Sequence, residues 1–142
     1  MKIKIIGNYR KVPDGYGMMC LEFVRSLLAN DFKDFTLKQA FTGDWQEAEK
    51  LIQPYEDRNL DYDVNLIMLT ADNVNVFLEQ KKKNILFTMW ETDALPSHWI
   101  PLCNKCDMVV VPSFFCKDVF KKSGVTVPIH ILPIPTDVHK FD

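Results

Sequence analysis

The chain of 142 residues is 47% hydrophobic and 25% charged, which is the length and apolar content of one globular domain with one sheet rather than two domains. Its formal net charge of −2 and pI near 5.9 give no general attraction to nucleic acid or to an anionic membrane. No apolar run approaches the ~20 residues of a membrane span, and the start MKIKIIG is too short and too strand-like for a signal peptide, so the sequence reads as cytoplasmic.

Lys2 to Ile6 (KIKII) is a short β run closed by Gly7, and after a loop of turn formers Met18 to Ala29 (MMCLEFVRSLLA) has apolar residues at helical spacing. Phe35 to Phe41 fits a second strand, and Asp44 to Ile52 (DWQEAEKLI) a short helix opened by an acidic cap. Val64 to Leu69 (VNLIML) is a third strand, followed by a helix over 72–81. Asn84 to Met89 is a fourth strand, and Leu95-Pro96 opens a short helix that carries Trp99. Asp107 to Val111 is a fifth strand with a helix from Ser113 to Lys122 behind it, and Ile129 to Leu132 is a sixth. Lys81, Lys82 and Lys83 read as a solvated helix end rather than a phosphate site.

Strands that are nearly continuous apolar runs, alternating with helices, require a parallel sheet covered on both faces. The fold class is therefore α/β: a Rossmann-like three-layer domain with a mainly parallel six-stranded sheet, expected in the order 3-2-1-4-5-6. Ligands of such sheets bind beyond the carboxyl ends of the strands. The polar and glycine-containing segments fall there: Asn8 to Gly17 after strand one, Trp90 to Pro96 after strand four, and Pro112-Ser113 after strand five.

In the first of these loops Gly15 and Gly17 permit close backbone approach, so a phosphate or sugar could rest at the helix start; an ordinary turn is the competing reading. The G-x-G-x-x-G fingerprint is not met, and no Gly-Lys-Ser/Thr of a Walker A loop follows. In the second loop Glu91 stands closest to the strand end and is the better candidate to face a cleft, whereas Asp93 is equally suited to capping a helix. Cys103 and Cys106 form a C-x-x-C without a second pair at zinc spacing. With Cys20 and Cys116 they read as reduced structural thiols.

Five stretches carry a resemblance: D-G-Y-G at residues 14–17, W-E-T-D-x-L-P-x-x-W at 90–99, C-D-M-V-V-V-P-S-x-F at 106–115, K-S-G-V at 122–125, and I-L-P-I-P-T-D-V-x-K-F at 131–141. Together they resemble the N-terminal domain of GT-B glycosyltransferases, in the group of retaining enzymes called family four or "glycosyl transferases group 1". Residues 31–80 are generic. Pro135 stands where the family usually has the glycine of P-x-G-V-D, and Trp90 and Glu91 stand where many members have a histidine.

The resemblance implies that residues 1–132 are the acceptor-side domain and that 133–142 begin an interdomain linker, the C-terminal donor-binding domain being absent from this sequence. It implies transfer of a sugar from a nucleotide-sugar donor to a glycan, lipid or protein acceptor hydroxyl with retention. No metal and no cofactor is expected, and the isolated chain is expected to be inactive. Localisation is cytoplasmic, with peripheral association with a membrane left open, and nucleic acid is not a partner. Glu91 is the catalytic candidate, orienting or helping to deprotonate the acceptor hydroxyl. The substrate-binding candidates are Asn8, Gly15, Tyr16, Gly17, Trp90, Asp93 and Ser113. The rival from another class is a stand-alone Rossmann-like domain that binds a glycan or nucleotide without catalysis. A nicotinamide-dependent oxidoreductase has only the βαβ start in its favour, lacking the fingerprint glycines and an acidic residue at the end of strand two.

Overall fold

The computed structural model describes residues 1–12 and 14–135; residues 136–142, which carry part of the resemblance and most of the expected linker over 133–142, lie outside the described residues. Six strands, β1 (Ile3–Gly7), β2 (Phe35–Gln39), β3 (Val64–Met68), β4 (Lys83–Phe87), β5 (Met108–Val111) and β6 (Ile129–Ile131), form one all-parallel sheet. Helices α1 (Gly15–Ala29), α2 (Val74–Phe77), α3 (Trp99–Asn104) and α4 (Phe114–Ser123) cover its two faces.

The layering follows from the strand period of two. Ile3, Ile5, Leu66, Met68 and Phe87 pack with Met19, Cys20 and Val24 of α1, while Ile6, Ile67, Leu86, Val109 and Val111 pack with Trp99 and Cys103 of α3 and Val119 and Phe120 of α4. Both sets are buried, and so every central strand has to be apolar on two sides.

The strand order is β2-β1-β3-β4-β5-β6, not the expected 3-2-1-4-5-6. β3 pairs with β1 and β4 and lies inside the sheet, and all five of its residues (VNLIM) are buried. β2 (FTLKQ) carries the exposed Lys38 and takes the edge. Placing the more apolar strand inside leaves less apolar surface in water, which is the physical reason for the correction. The direction of winding therefore reverses between β1 and β3, beyond whose carboxyl ends a ligand crevice opens in sheets of this kind. The free side of β2 is covered by a 3-10 turn, Gln53–Tyr55, and the residues after it: Glu56 bridges to Leu37, and the Asp57 N–H donates to the Leu37 carbonyl at 2.8 Å.

Two expected helices are also corrected. Residues 44–52 are irregular: only Ala48 and Ile52 of the segment are buried, too little apolar contact to hold so short a helix. The helix expected over 72–81 shrinks to a 3-10 turn, Ala71–Asn73, followed by the four residues of α2. Buried amides have captured its backbone. Asn65 Nδ2 donates to the Phe77 carbonyl (2.8 Å) and to Asn84 Oδ1 (2.9 Å), Asn84 Oδ1 also accepts from the Glu79 N–H (3.0 Å), and Asn84 Nδ2 donates to the Glu79 carbonyl (2.9 Å). Lys81 then turns with φ 68, so the lysine run occupies a turn and the start of β4 rather than a helix end. In contrast α1 starts three residues earlier than its apolar pattern, because Asp14 caps it.

Asn84→Leu should lower unfolding stability by about 2–4 kcal/mol, because it strips partners from several buried backbone groups at once. Urea denaturation reads the loss, and a change below ~1 kcal/mol would mean that the amide network does not hold this crossover.

Candidate functional site

A cleft of about 320 Å³ lies at the carboxyl end of the sheet, where the loop before α1 meets the loop after β4. Asp14, Gly15 and Tyr16 line it from one side and Met89, Trp90, Glu91 and Thr92 from the other. Thr70, just beyond β3, and Trp99, the first residue of α3, complete the lining.

Tyr16 joins the two loops. Its hydroxyl lies 2.9 Å from Thr88 Oγ1 and 3.0 Å from the Met89 carbonyl, and it accepts from the Met89 N–H at 3.2 Å. Burial pushes the Tyr16 phenol above its ordinary value; the bonds to Thr88 and Met89 act in the opposite direction, and the Cys116 and Glu91 charges add small upward pushes. The phenol is thus a neutral fastening. The β4 loop is further tied to α4, since Cys116 Sγ meets the Trp90 carbonyl at 3.4 Å and the Leu95 N–H donates to Ser123 Oγ at 3.1 Å.

Trp90 is half-buried with its indole N–H directed to Thr92 Oγ1 (2.7 Å) and the Ala94 carbonyl (2.8 Å). Its ring meets that of Trp99 edge-on at 4.8 Å, and Trp99 is fully buried against Phe120. The Trp99 indole N–H donates to Asp72 Oδ2 at 3.1 Å, and Asp72 Oδ1 lies 2.6 Å from His98 Nε2. Both tryptophans are therefore fixed in orientation, which is what a recognition surface needs.

The sequence candidates divide on this geometry. Gly15, Tyr16, Trp90 and Glu91 come together around the cleft. Gly17 does not: a Cβ there would sit 2.3 Å from the Lys11 carbonyl oxygen and 2.6 Å from that of Asn8, so its missing side chain makes room for the chain itself rather than for a ligand. At Gly15 a Cβ meets nothing within 4 Å. Asn8 fastens the same loop, its Oδ1 accepting from Gln39 Nε2 at 3.2 Å and its carbonyl from the Lys11 N–H at 2.8 Å. Ser113 caps α4, with Oγ accepting from the Cys116 N–H at 3.2 Å, and Asp93 is exposed outside the cleft lining. Asp14 and Thr70 were not expected there. The first could have been found as the residue preceding a glycine at a helix start, whereas the second is visible only once β3 is placed between β1 and β4.

All four cysteines are free and buried. Cys103 and Cys106 lie at the C-terminal end of α3 and just after it, the end that disfavours a thiolate. Burial pushes the thiols of Cys20, Cys103 and Cys106 up to about 12, with a smaller upward push on Cys103 from Cys106 and on Cys106 from Asp107. Among the described residues no group of three or more His, Cys, Asp or Glu is placed to hold a metal ion, and no helix is long and apolar enough to cross a membrane. Compared with models of known protein families and with curated proteins, the sequence matches none.

Gly17→Ala should destabilise the fold by about 1–3 kcal/mol through overpacking against backbone, while Gly15→Ala leaves the melting temperature unchanged or slightly raised. Equal effects at the two positions would show that the loop relaxes around either. The thiols fix a pH dependence. The folded chain keeps three protons that the unfolded chain releases near its ordinary thiol value of about 9, so their stabilising contribution is complete below that pH and is lost as pH rises towards about 12. Urea midpoints measured across this range should fall, and Cys103→Ala should flatten the fall.

Proposed function

We propose that this chain is the acceptor-binding half of a retaining glycosyltransferase of the GT-B kind, which transfers a sugar from a nucleotide-sugar donor to an acceptor hydroxyl. The observation that carries the reading is that Trp90 and Glu91, of the W-E-T-D-x-L-P-x-x-W stretch, line one cleft with Gly15 and Tyr16 of the D-G-Y-G stretch. These two stretches are separated by more than 70 residues, and Tyr16 bonds the end of β4 directly.

In this reading the donor is held mainly by a second Rossmann-like domain, and the present cleft positions the acceptor. Glu91 is exposed at the cleft, and its carboxylate orients the acceptor hydroxyl or accepts its proton as the new glycosidic bond forms. Gly15, which has open space beside its Cα, lets a sugar ring approach the backbone at the start of α1. Tyr16 positions the two loops, its hydroxyl being engaged with Thr88 and Met89. Fixing acceptor and donor in a reactive geometry is the main source of rate in such a scheme.

Glu91→Gln should keep the melting temperature within experimental error while lowering single-turnover transfer by about 10²-fold in the protein that carries both domains. Wild-type turnover would retire Glu91 from the reaction. The 142-residue chain alone should bind nucleotide sugars only weakly, and calorimetry that found micromolar affinity with hydrolysis would place the donor site here instead. A chain that binds saccharide in the cleft while the two-domain protein transfers nothing would favour the non-catalytic binding domain.

A further inference from the structure

Building on the acceptor-half reading, we propose that the cleft takes a neutral saccharide, one pyranose ring lying against the Trp90 indole with its hydroxyls turned to the carboxylates of Asp14 and Glu91, and that it rejects phosphorylated acceptors. The walls supply three aromatic side chains, Tyr16, Trp90 and Trp99, and two carboxylates, with no Lys, Arg or His among the described lining residues. Ring faces carry the negative part of the aromatic quadrupole, which attracts polarised C–H groups and cations and repels anions. Ionised carboxylates only accept hydrogen bonds, and sugar hydroxyls supply the matching donors. Mostly apolar walls with a few fixed polar groups suit a small ligand held in one orientation.

The usual means of receiving a phosphate are taken. At the start of α1 the helix meets its own anion, because Asp14 Oδ2 accepts from the Gly17 N–H at 3.1 Å, so a carboxylate already occupies the N-terminal end. The two cations of the preceding loop are engaged elsewhere: Arg10 pairs with Glu56 at 2.6 Å, and the Lys11 ammonium lies 5.2 Å from the centre of the Trp45 ring. A phosphate entering the cleft would meet Asp14 and Glu91 without a compensating cation on the lining.

The test uses the 142-residue chain with ¹⁵N-labelled indoles, whose three tryptophans, Trp45, Trp90 and Trp99, report separately. It is titrated with a panel of neutral saccharides (maltose, lactose, methyl mannoside), with glucose 6-phosphate and mannose 6-phosphate, with choline, and with uridine diphosphate. At least one neutral saccharide should shift the Trp90 and Trp99 indole signals and leave Trp45 in place. The phosphosugars should bind at least about tenfold more weakly at low salt, with the gap narrowing at ~0.2 M as screening sets in. The double variant Asp14→Asn with Glu91→Gln should close the gap, because asparagine still caps the helix while both charges are gone. Trp90→Ala should abolish the saccharide shifts. Phosphosugars that bind as well as or better than neutral ones would overturn the proposal while leaving a transferase with a charged acceptor standing. Choline binding without saccharide binding, or no shift from any neutral saccharide, would also overturn it. Uridine diphosphate held in the cleft at micromolar affinity would remove the acceptor-half assignment as well.

Discussion

The hydroxyl of Tyr16 must satisfy its hydrogen-bonding capacity in a half-buried position, and it does so on Thr88 and Met89, across the end of a strand that separates its own loop from theirs. β1 and β4 are not neighbours in the sheet; β3 lies between them. Without a side chain long enough to cross that strand, the loop before α1 and the loop after β4 would be independent. With it, Gly15 at the start of α1 and Trp90 and Glu91 on the loop after β4 are held as parts of a single wall. Thr88 is fully buried and its N–H donates to the Val110 carbonyl at 3.0 Å, so the fastening rests on the sheet itself rather than on another loop.

Much of this architecture was legible in the sequence because parallel strands buried on both faces leave an unmistakable apolar run. MVVV, NILF and VNLIM could be placed as strands from composition alone, and the alternation between them and the helical stretches required parallel pairing. What could not be read was which apolar strand goes where. The clue was present in the lysine of FTLKQ, but handedness and adjacency rules permit both windings, and the choice depends on burial summed over the whole sheet. The lost helix over 72–81 has a similar origin. Its own residues favour a helix well enough, and what opposes them is a pair of asparagine side chains on two separate strands, which no local window contains.

At the cleft, the residues that sequence reasoning brought forward were those whose chemistry is unusual for their position. A glutamate and a tryptophan directly after a buried strand are conspicuous, and so is a glycine at a helix start. Gly17 and Gly15 look alike in the sequence, yet one is enclosed by the Asn8 and Lys11 carbonyls and the other faces open space. That difference depends on how the chain runs between β1 and α1, for which spacing offers no rule. Ser113 and Asn8 illustrate the same point from the other side: a serine or asparagine at a strand end is equally well used by the backbone, and here the backbone has them.

The covering of β2 by residues 53–57 has a consequence for how the protein behaves in crowded solution. An uncovered edge of a parallel sheet offers a row of unpaired N–H and C=O groups on which a foreign strand can add. The bond from the Asp57 N–H to the Leu37 carbonyl, and the bridge between Leu37 and Glu56, occupy the middle of that row with the protein's own chain. The exposed Lys38 beside them adds a charge that an incoming apolar strand would have to desolvate. The long irregular stretch between β2 and β3, which contributes little regular structure, thus acts as a guard against templated self-association along that side of the sheet.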